Sequence, residues 1–437
     1  MSDLPTRTVK RITRRIIPFL FILYLVAYLD RVNVSFAALE MTRDLGMTNE
    51  AFGFGAGIFF LGYFLLEIPG AVLVEVWSAR KWIARIMITW GILSALTGMV
   101  RNANEFYIIR FCLGLAEAGF FPGMIVYLSH WYRGVDRAKA VASFMNAIPA
   151  SEIIGAPVSA YLMTFDWMWL AGWRWLLILE GIPAVVLGVV TLFYLTDRPK
   201  DAKWLKDDER DWITRELAAE NVGRTSHAHI LNGLKDGRVL LLLGAYFALM
   251  NVSYALVMWL PKILKATYGH TTFTTTLLTS VPFLVATPMI LWIGWHSDKV
   301  RERRWHAAGP LLCCAAAMLA MRAQGIPLLL AVGLFAIAVA GMQSAKGPIW
   351  AIATTLLAGK AAAASIGLIN SFGNLGGFFG PYSVGWLSSR TDGFNAGLLY
   401  IAGAAVVAAT LVLIAGWLAM RPRPVAEEAA SVVSVKT

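Results

Sequence analysis

The sequence is poor in charge and in cysteine. Of its 437 residues only 15% are charged, and the three cysteines lie in apolar stretches. A soluble domain carries about a quarter charged residues, so this composition excludes an ordinary soluble globular fold. Three cysteines without a recurrent spacing form neither a disulfide framework nor a zinc-ligand pattern, and the six histidines do not cluster. We therefore expect no metal and no other cofactor.

Long apolar runs take the place of charge, and 58% of the residues are hydrophobic. A membrane-spanning helix needs about 20 apolar residues, and stretches of that kind recur twelve times. They lie at 16–39, 51–74, 82–100, 104–129, 138–163, 171–196, 238–261, 274–296, 306–323, 327–358, 361–389 and 395–420. The predicted fold class is an all-α integral membrane protein with twelve transmembrane helices in two six-helix halves.

One long polar segment separates the sixth span from the seventh. It divides the chain into an N-terminal bundle at 1–197, a central loop at 198–237 and a C-terminal bundle at 238–420, followed by a disordered tail at 421–437. The apolar residues of the central loop predict one face of a short helix lying on the membrane surface. These residues are Trp204, Leu205, Trp212, Ile213 and Leu217.

Lysine and arginine are distributed unevenly between the two sides of the predicted bundle. If the N-terminus is cytoplasmic, they favour the inner segments over the outer loops by about four to one. This bias predicts that both termini are cytoplasmic and that the protein is a multi-pass protein of the cell inner membrane. It also explains the net charge of +11 without a nucleic-acid partner. The expected partner is the lipid bilayer, and the protein is expected to be a monomer.

Two loops repeat one pattern six spans apart. The loop after span two is "GAVLVEVWSARKW" and the loop after span eight is "GWHSDKVRERRW". Each has a glycine, then an acid, then a basic cluster, as expected for transporters built from related halves. Ion pairs here could gate a rocking motion, which makes Glu75, Arg80, Asp298 and Arg303 candidate gating residues.

The layout and several motifs resemble the major facilitator superfamily. The stretches "YLDRVNVSFAAL", "GYFLLEIPG", "RFCLGLAEAGFFPG", "KGPIWAIATTLLAG" and "SIGLINSFGNLGGFFGP" are similar to its anion:cation symporter subfamily, and most of all to bacterial tartrate-type carriers. The resemblance implies transport of tartrate, sugar acids or related anions. The chain departs from the family's "DRxGxR" loop, because Glu75, Val76 and Ser78 replace Asp, Arg and Gly.

Four charged residues lie inside spans one and four. Asp30 and Arg31 are adjacent, and Arg110 and Glu117 are seven residues apart, which places them on one helix face. The two pairs fall at about the same depth, so neighbouring helices would bring all four together. A purely structural pair of ion bridges is one interpretation. The other is function, because buried charges in a membrane are costly and commonly mark substrate or proton pathways.

In the functional interpretation the arginines hold an anion and the carboxylates bind the coupling cation. Arg31 and Arg110 are the candidate substrate ligands. The resemblance implies that Asp30 and Glu117 are the proton-coupling sites. Arrival of an anion at an arginine would compete with its carboxylate partner, which couples the two occupancies. The sequence leaves open whether the cation is a proton or sodium.

Spans ten and eleven supply candidate ligands from the other half. Lys346 precedes a Gly-Pro pair that is expected to break the helix, and Asn370, Ser371 and Asn374 follow in span eleven. Asn370 could equally serve helix packing, and Lys346 could instead pair with an acid such as Glu152.

Two tyrosines have hydroxyls suited to a polyol, although both could be packing residues. They are Tyr63 and Tyr254. Together these residues predict import of a small organic anion, a tartrate-like dicarboxylate or a sugar acid, by cation symport. The alternatives are a proton-driven exporter of the same superfamily and a non-transporting membrane sensor. An intramembrane enzyme is not expected, since the sequence contains no nucleophile or metal constellation.

Overall fold

The computed structural model describes residues 4–221, 236–357 and 362–420, and the regular elements of these residues are helices. The first six crossings of the bundle are α1 (Leu4–Asp44), α2 (Asn49–Val76), α3 (Ala79–Thr97), α4 (Ala103–Glu117) with α5 (Phe120–Ser129), α6 (Gly134–Met145) with α7 (Ala147–Leu162), and α8 (Gly172–Tyr194). A linker helix, α9 (Asp207–Asn221), follows.

The second half has the same number of crossings. They are α10 (Gly237–Tyr268), α11 (Thr272–Leu278) with α12 (Ser280–Val300), α13 (Arg304–Ala320), α14 (Leu328–Ser344) with α15 (Lys346–Leu356), α16 (Ala362–Asn374) with α17 (Gly376–Arg390), and α18 (Asn395–Met420). Within the described residues, nine crossings are long and apolar enough to span a membrane by length and composition. The other three, α3, α13 and α16–α17, are shorter or more polar. The twelve-helix, two-half fold is confirmed, and the tail at 421–437 lies outside the described residues.

Interruptions within the crossings occur next to candidate site residues. Gly119 separates α4 from α5 in a left-handed conformation with φ of +84°, and its Cα packs closely on Gly70. A side chain at position 119 would be strained in this conformation. The interruption at Ala345 keeps helical angles and precedes Lys346 instead of following it. Pro348 therefore lies in the first turn of α15, where a missing N–H leaves no helical bond unmade.

The two halves meet at the end of the bundle opposite the N-terminus, which we call the far end. There α2 packs on α17 so closely that a Cβ on Gly53 would lie 2.5 Å from the carbonyl oxygen of Pro381. The Lys262 ammonium donates to Asn49 Oδ1 at 2.8 Å and to Thr42 Oγ1 at 3.2 Å. These contacts close the far end.

The linker helix α9 docks on the N-terminal end of the first half. Glu209 is fully buried and accepts from Arg7 Nε at 2.9 Å and from Arg11 Nη1 at 2.7 Å. Ile213 is also buried, and the Trp204 ring stacks on Trp131 at 5.3 Å. The predicted amphipathic helix is present only in part, because Trp212, Ile213 and Leu217 lie on α9 whereas Trp204 and Leu205 lie in the turn before it. Its apolar face packs on protein, and the buried Glu209 carboxylate ties it to α1.

Candidate functional site

The core of the site is an ion pair between α1 and α4. The Arg31 guanidinium donates to Glu117 Oε1, and the Glu117 side chain is almost completely buried. Arg31 also reaches the Tyr254 hydroxyl of α10 at 3.4 Å, and its guanidinium carbon lies 5.5 Å from the Tyr63 ring centre. The cation thus faces both halves. It is held by one carboxylate and by aromatic faces, which attract cations.

Asp30 lies beside this pair but has its own environment. Its carboxylate accepts from the Trp90 indole, from the Ser94 hydroxyl and from Asn33 Nδ2. All three donors belong to the first half, and the side chain is buried. The sequence predicted one cluster of four charges. The structure gives Asp30 its own cage of neutral hydrogen-bond donors, but the four charges remain neighbours, since the Arg110 charge acts on both Asp30 and Glu117.

Arg110 is the third buried charge of the first half that sequence analysis selected. It is 2% exposed, and its guanidinium carbon lies 4.8 Å from the Phe59 ring centre. Its Nε and Nη2 have no hydrogen-bond partner among the described residues. Buried polar groups are almost always satisfied, so these unpartnered guanidinium donors remain available to an acceptor.

The candidate ligands of α16 contact a carboxylate from the opposite half. Asn370 Nδ2 donates to Glu67 Oε1 at 2.6 Å, and Asn374 Nδ2 approaches Glu67 Oε2 at 3.5 Å. Ser371 is buried beside them. Glu67 lies on α2 within the quoted motif "GYFLLEIPG", but sequence analysis gave it no role. Only the packing of α2 against α16 brings it to the two asparagines.

Lys346 forms a bridge rather than a direct ion pair. Its ammonium donates to Gln343 Oε1, while Gln343 Nε2 donates to Glu152 Oε1 at 2.8 Å and to Oε2 at 3.1 Å. Glu152 belongs to α7 of the first half, so this chain also joins the halves. Lys346 and Glu152 are thus connected, as the alternative prediction held, but through Gln343 and not directly. Sequence analysis missed Gln343 because a lone glutamine in an apolar run carries no charge.

The candidate gating residues lie at the N-terminal end of the bundle, each within its own half. Arg80 Nε lies 3.8 Å from Asp197 Oδ2, and the Arg80 N–H donates to Asp197 Oδ1 at 2.9 Å. Asp298 pairs with Arg303. The side chain of Glu75 lies outside the described residues.

A bundle of twelve helices in two halves, with charged and amide side chains where the halves meet, defines a multi-pass membrane transporter. The family model described as Major Facilitator Superfamily matches residues 20–381, and the chain belongs to this family. Its members are transporters, which confirms that the chain is not an enzyme.

Known relatives and solved structures agree with this assignment. The chain is 47% identical over 419 residues to a protein named "Putative tartrate transporter" from Agrobacterium vitis, covering 94% of this chain and 95% of that protein. It is 37% identical to a "Quinolone resistance transporter" from Acinetobacter baumannii, covering 91% and 92%. A bacterial homologue of the human lysosomal transporter Spinster, solved inward-facing and unoccupied, superposes with a TM-score of 0.78 at 15% identity, covering 97% of this chain and all of that one.

Proposed function

We propose that the protein imports a small organic anion, a tartrate-like dicarboxylate or a sugar acid, together with a proton. The observation that carries this proposal is the buried, unpartnered guanidinium edge of Arg110 beside the Arg31–Glu117 pair. Two guanidiniums at one site favour a carboxylate, since their planar donor forks match its geometry. The resemblance to a tartrate-type relative supports the same substrate class.

Coupling follows from competition for Arg31. With the site empty, Glu117 neutralises Arg31. An anion that takes over the guanidinium leaves a buried carboxylate without its cation, and such a carboxylate gains a proton more readily. Glu117 is therefore the principal proton site in this proposal. Asp30, whose donors are neutral, is the second.

The second half completes the site by exchanging contacts. Asn370, Ser371 and Asn374 offer donors for a substrate hydroxyl or carboxylate, but in this state they face Glu67. A bound anion would replace the Glu67 carboxylate on Asn374. Lys346 would likewise leave Gln343 to face a distal carboxylate, which favours a two-headed anion.

Alternating access is supported by where the halves touch. The far end is closed by α2 on α17, and the ion pairs of the gating residues at the other end stay within each half. With the N-terminus in the cytoplasm, this is an inward-open state of an inner-membrane protein. The moving units are the two bundles at 1–197 and 238–420, with α9 carried by the first.

The test is uptake of radiolabelled tartrate into proteoliposomes with and without an inward proton gradient. We expect Glu117→Gln to abolish accumulation of tartrate above its external concentration, because an amide cannot release a proton. Exchange of internal for external tartrate should persist. Glu105→Gln, at the exposed start of α4, is the matched control and should transport normally. Accumulation by Glu117→Gln at the wild-type level would refute the role of Glu117.

A proton-driven exporter remains the second candidate because of the similarity to a quinolone resistance transporter. The same vesicles distinguish the two functions. Export of a quinolone that does not depend on Arg110 would support the second candidate, whereas tartrate uptake that requires Arg110 supports the first.

A further inference from the structure

A basic cavity lies at the N-terminal end of the bundle, far from the transport site. It is an open depression of about 530 Å³ between the start of α1, the end of α8 and the segment that leads to α9. Five cationic side chains of α1 line it, namely Arg7, Lys10, Arg11, Arg14 and Arg15. Sites for small ligands commonly enclose about 300–1,000 Å³, so the cavity is large enough for a phosphate-bearing headgroup.

The cations of this cavity are of two kinds. Arg7 and Arg11 form ion pairs with the carboxylates of α9 and are thereby neutralised. Lys10, Arg14 and Arg15 have no ion-pair partner among the described residues. Lys10 and Arg14 are one helical turn apart, which places their side chains about 6 Å from each other on one face. A single anionic group can therefore contact both.

The opposite wall of the cavity is aromatic and offers a further donor. The guanidinium carbon of Arg15 lies 4.6 Å from the Tyr194 ring centre and 5.1 Å from that of Trp204. The Trp204 indole N–H is buried without a hydrogen-bond partner among the described residues. Charge that only sets membrane orientation requires neither an arginine stacked on two aromatic rings nor an unpartnered indole donor beside it. These features together suit a ligand with acceptor oxygens.

The depth of the cavity identifies the source of that ligand. The first predicted span starts at residue 16, so Arg14 and Arg15 lie within about 3 Å of the hydrocarbon edge and Lys10 about 9 Å from it. The polar headgroup layer extends roughly 5–8 Å beyond the hydrocarbon on each face. Tyr and Trp also favour this level. Arg14 and Arg15 therefore lie at the height of lipid phosphates, and Lys10 lies at the outer edge of this layer.

We propose that this cavity binds the phosphodiester headgroup of an anionic lipid through Lys10, Arg14 and Arg15, with the Trp204 indole as a further donor. The bound lipid would join α1 to the segment before α9 and so hold the linker against the first half. The shared chemistry is that of a phosphate, and the test below separates the lipid from a soluble phosphate.

The test is native mass spectrometry of the delipidated protein titrated with phosphatidylglycerol or phosphatidylcholine. Each basic residue near a membrane surface contributes about 1 kcal/mol to anionic-lipid binding, so Lys10→Gln/Arg14→Gln should weaken phosphatidylglycerol binding about 30-fold. The control is Lys299→Gln/Arg301→Gln, which removes two cations from the same end of the other half. It should change binding less than threefold.

Equal binding of the two lipids, or equal losses in the two double variants, would overturn the proposal. A second arm adds inorganic phosphate alone. Displacement of the lipid only by phosphate at tens of millimolar supports a headgroup site. Tight phosphate binding that is lost in Lys10→Gln/Arg14→Gln would instead define a soluble-anion site and overturn the lipid assignment.

Discussion

Arg110 is held by an aromatic ring and has no carboxylate within ion-pair distance among the described residues. We expect Arg110→Ala to weaken anion binding by roughly 2–5 kcal/mol, which is at least 30-fold in affinity. Arg110→Lys should rescue poorly, because an ammonium cannot reproduce two parallel donors. Binding is measured by scintillation proximity or calorimetry, with the exposed Arg101→Lys as control. Near-normal affinity in Arg110→Lys would remove the guanidinium from the site.

Replacement of Lys346 tests which class of anion the proposed site binds. Its ammonium now contacts Gln343, which links it to Glu152. If it faces the distal carboxylate of a dicarboxylate, Lys346→Met should lower tartrate affinity by about 30-fold or more and a matched sugar acid much less. Competition uptake with both substrates gives the ratio. Equal losses for the two anions would leave the monocarboxylate as the better substrate.

At this scale the sequence identified the charges but not their partners. Arg31 and Glu117 could be placed together because depth and helix face follow from counting residues. The neutral donors of Asp30 could not be foreseen, since Trp90 and Ser94 lie on α3 and look like ordinary interior residues. Glu67 could be given no role from the sequence, because its asparagine partners lie about three hundred residues away in the chain.

Among the elements, α9 shows how burial of a single carboxylate fixes a helix. Glu209 is buried while its partners Arg7 and Arg11 are 35% and 36% exposed, so removing its charge costs less than the roughly 3–5 kcal/mol of a fully buried pair. We expect Glu209→Gln to release α9, seen as faster amide hydrogen exchange across 207–221. The control is Glu216→Gln, whose partner Arg133 lies at 3.4 Å and whose side chain is 42% exposed. An exposed pair contributes about 0–1 kcal/mol, so this control should leave exchange unchanged.

Unchanged exchange in Glu209→Gln as well would mean that apolar packing of Ile213 alone holds the helix. The pattern of α9 was predictable because its apolar residues recur at helical spacing. The surface that covers them was not predictable, since an apolar face is satisfied equally by lipid or by protein. Its pairing with α1 depends on arginines roughly two hundred residues earlier in the sequence.

For the whole molecule, the close contact of α2 and α17 determines which end is closed. A Cβ on Gly53 would meet the Pro381 carbonyl, which belongs to the other half. We expect Gly53→Ala to shift the population toward the far-end-open state, because only the closed state contains this clash. Distances between spin labels on the two halves at the far end measure the shift. Gly294→Ala, where a Cβ meets nothing within 4 Å, is the control.

An unchanged distance distribution in Gly53→Ala would mean that the helices separate slightly without opening. The twelve-helix arrangement itself followed from apolar run lengths and from the repeated loops, both of which are local properties. Which end is closed is a property of contacts between the halves, and the run lengths carry no information about it.

The Lys262 contacts that close the far end have an electrostatic consequence. Lys262 is held there by the oxygens of Asn49 and Thr42 and by the aromatic faces of Phe52 and Trp259, with no carboxylate among these contacts. In the proposed alternating-access cycle, opening of this end would expose the same ammonium to water at the mouth of the pathway, where it would attract anions from solution. Lys262 would thus close the far end in one state and attract anions in the other. Anion capture at this mouth should therefore slow as ionic strength rises.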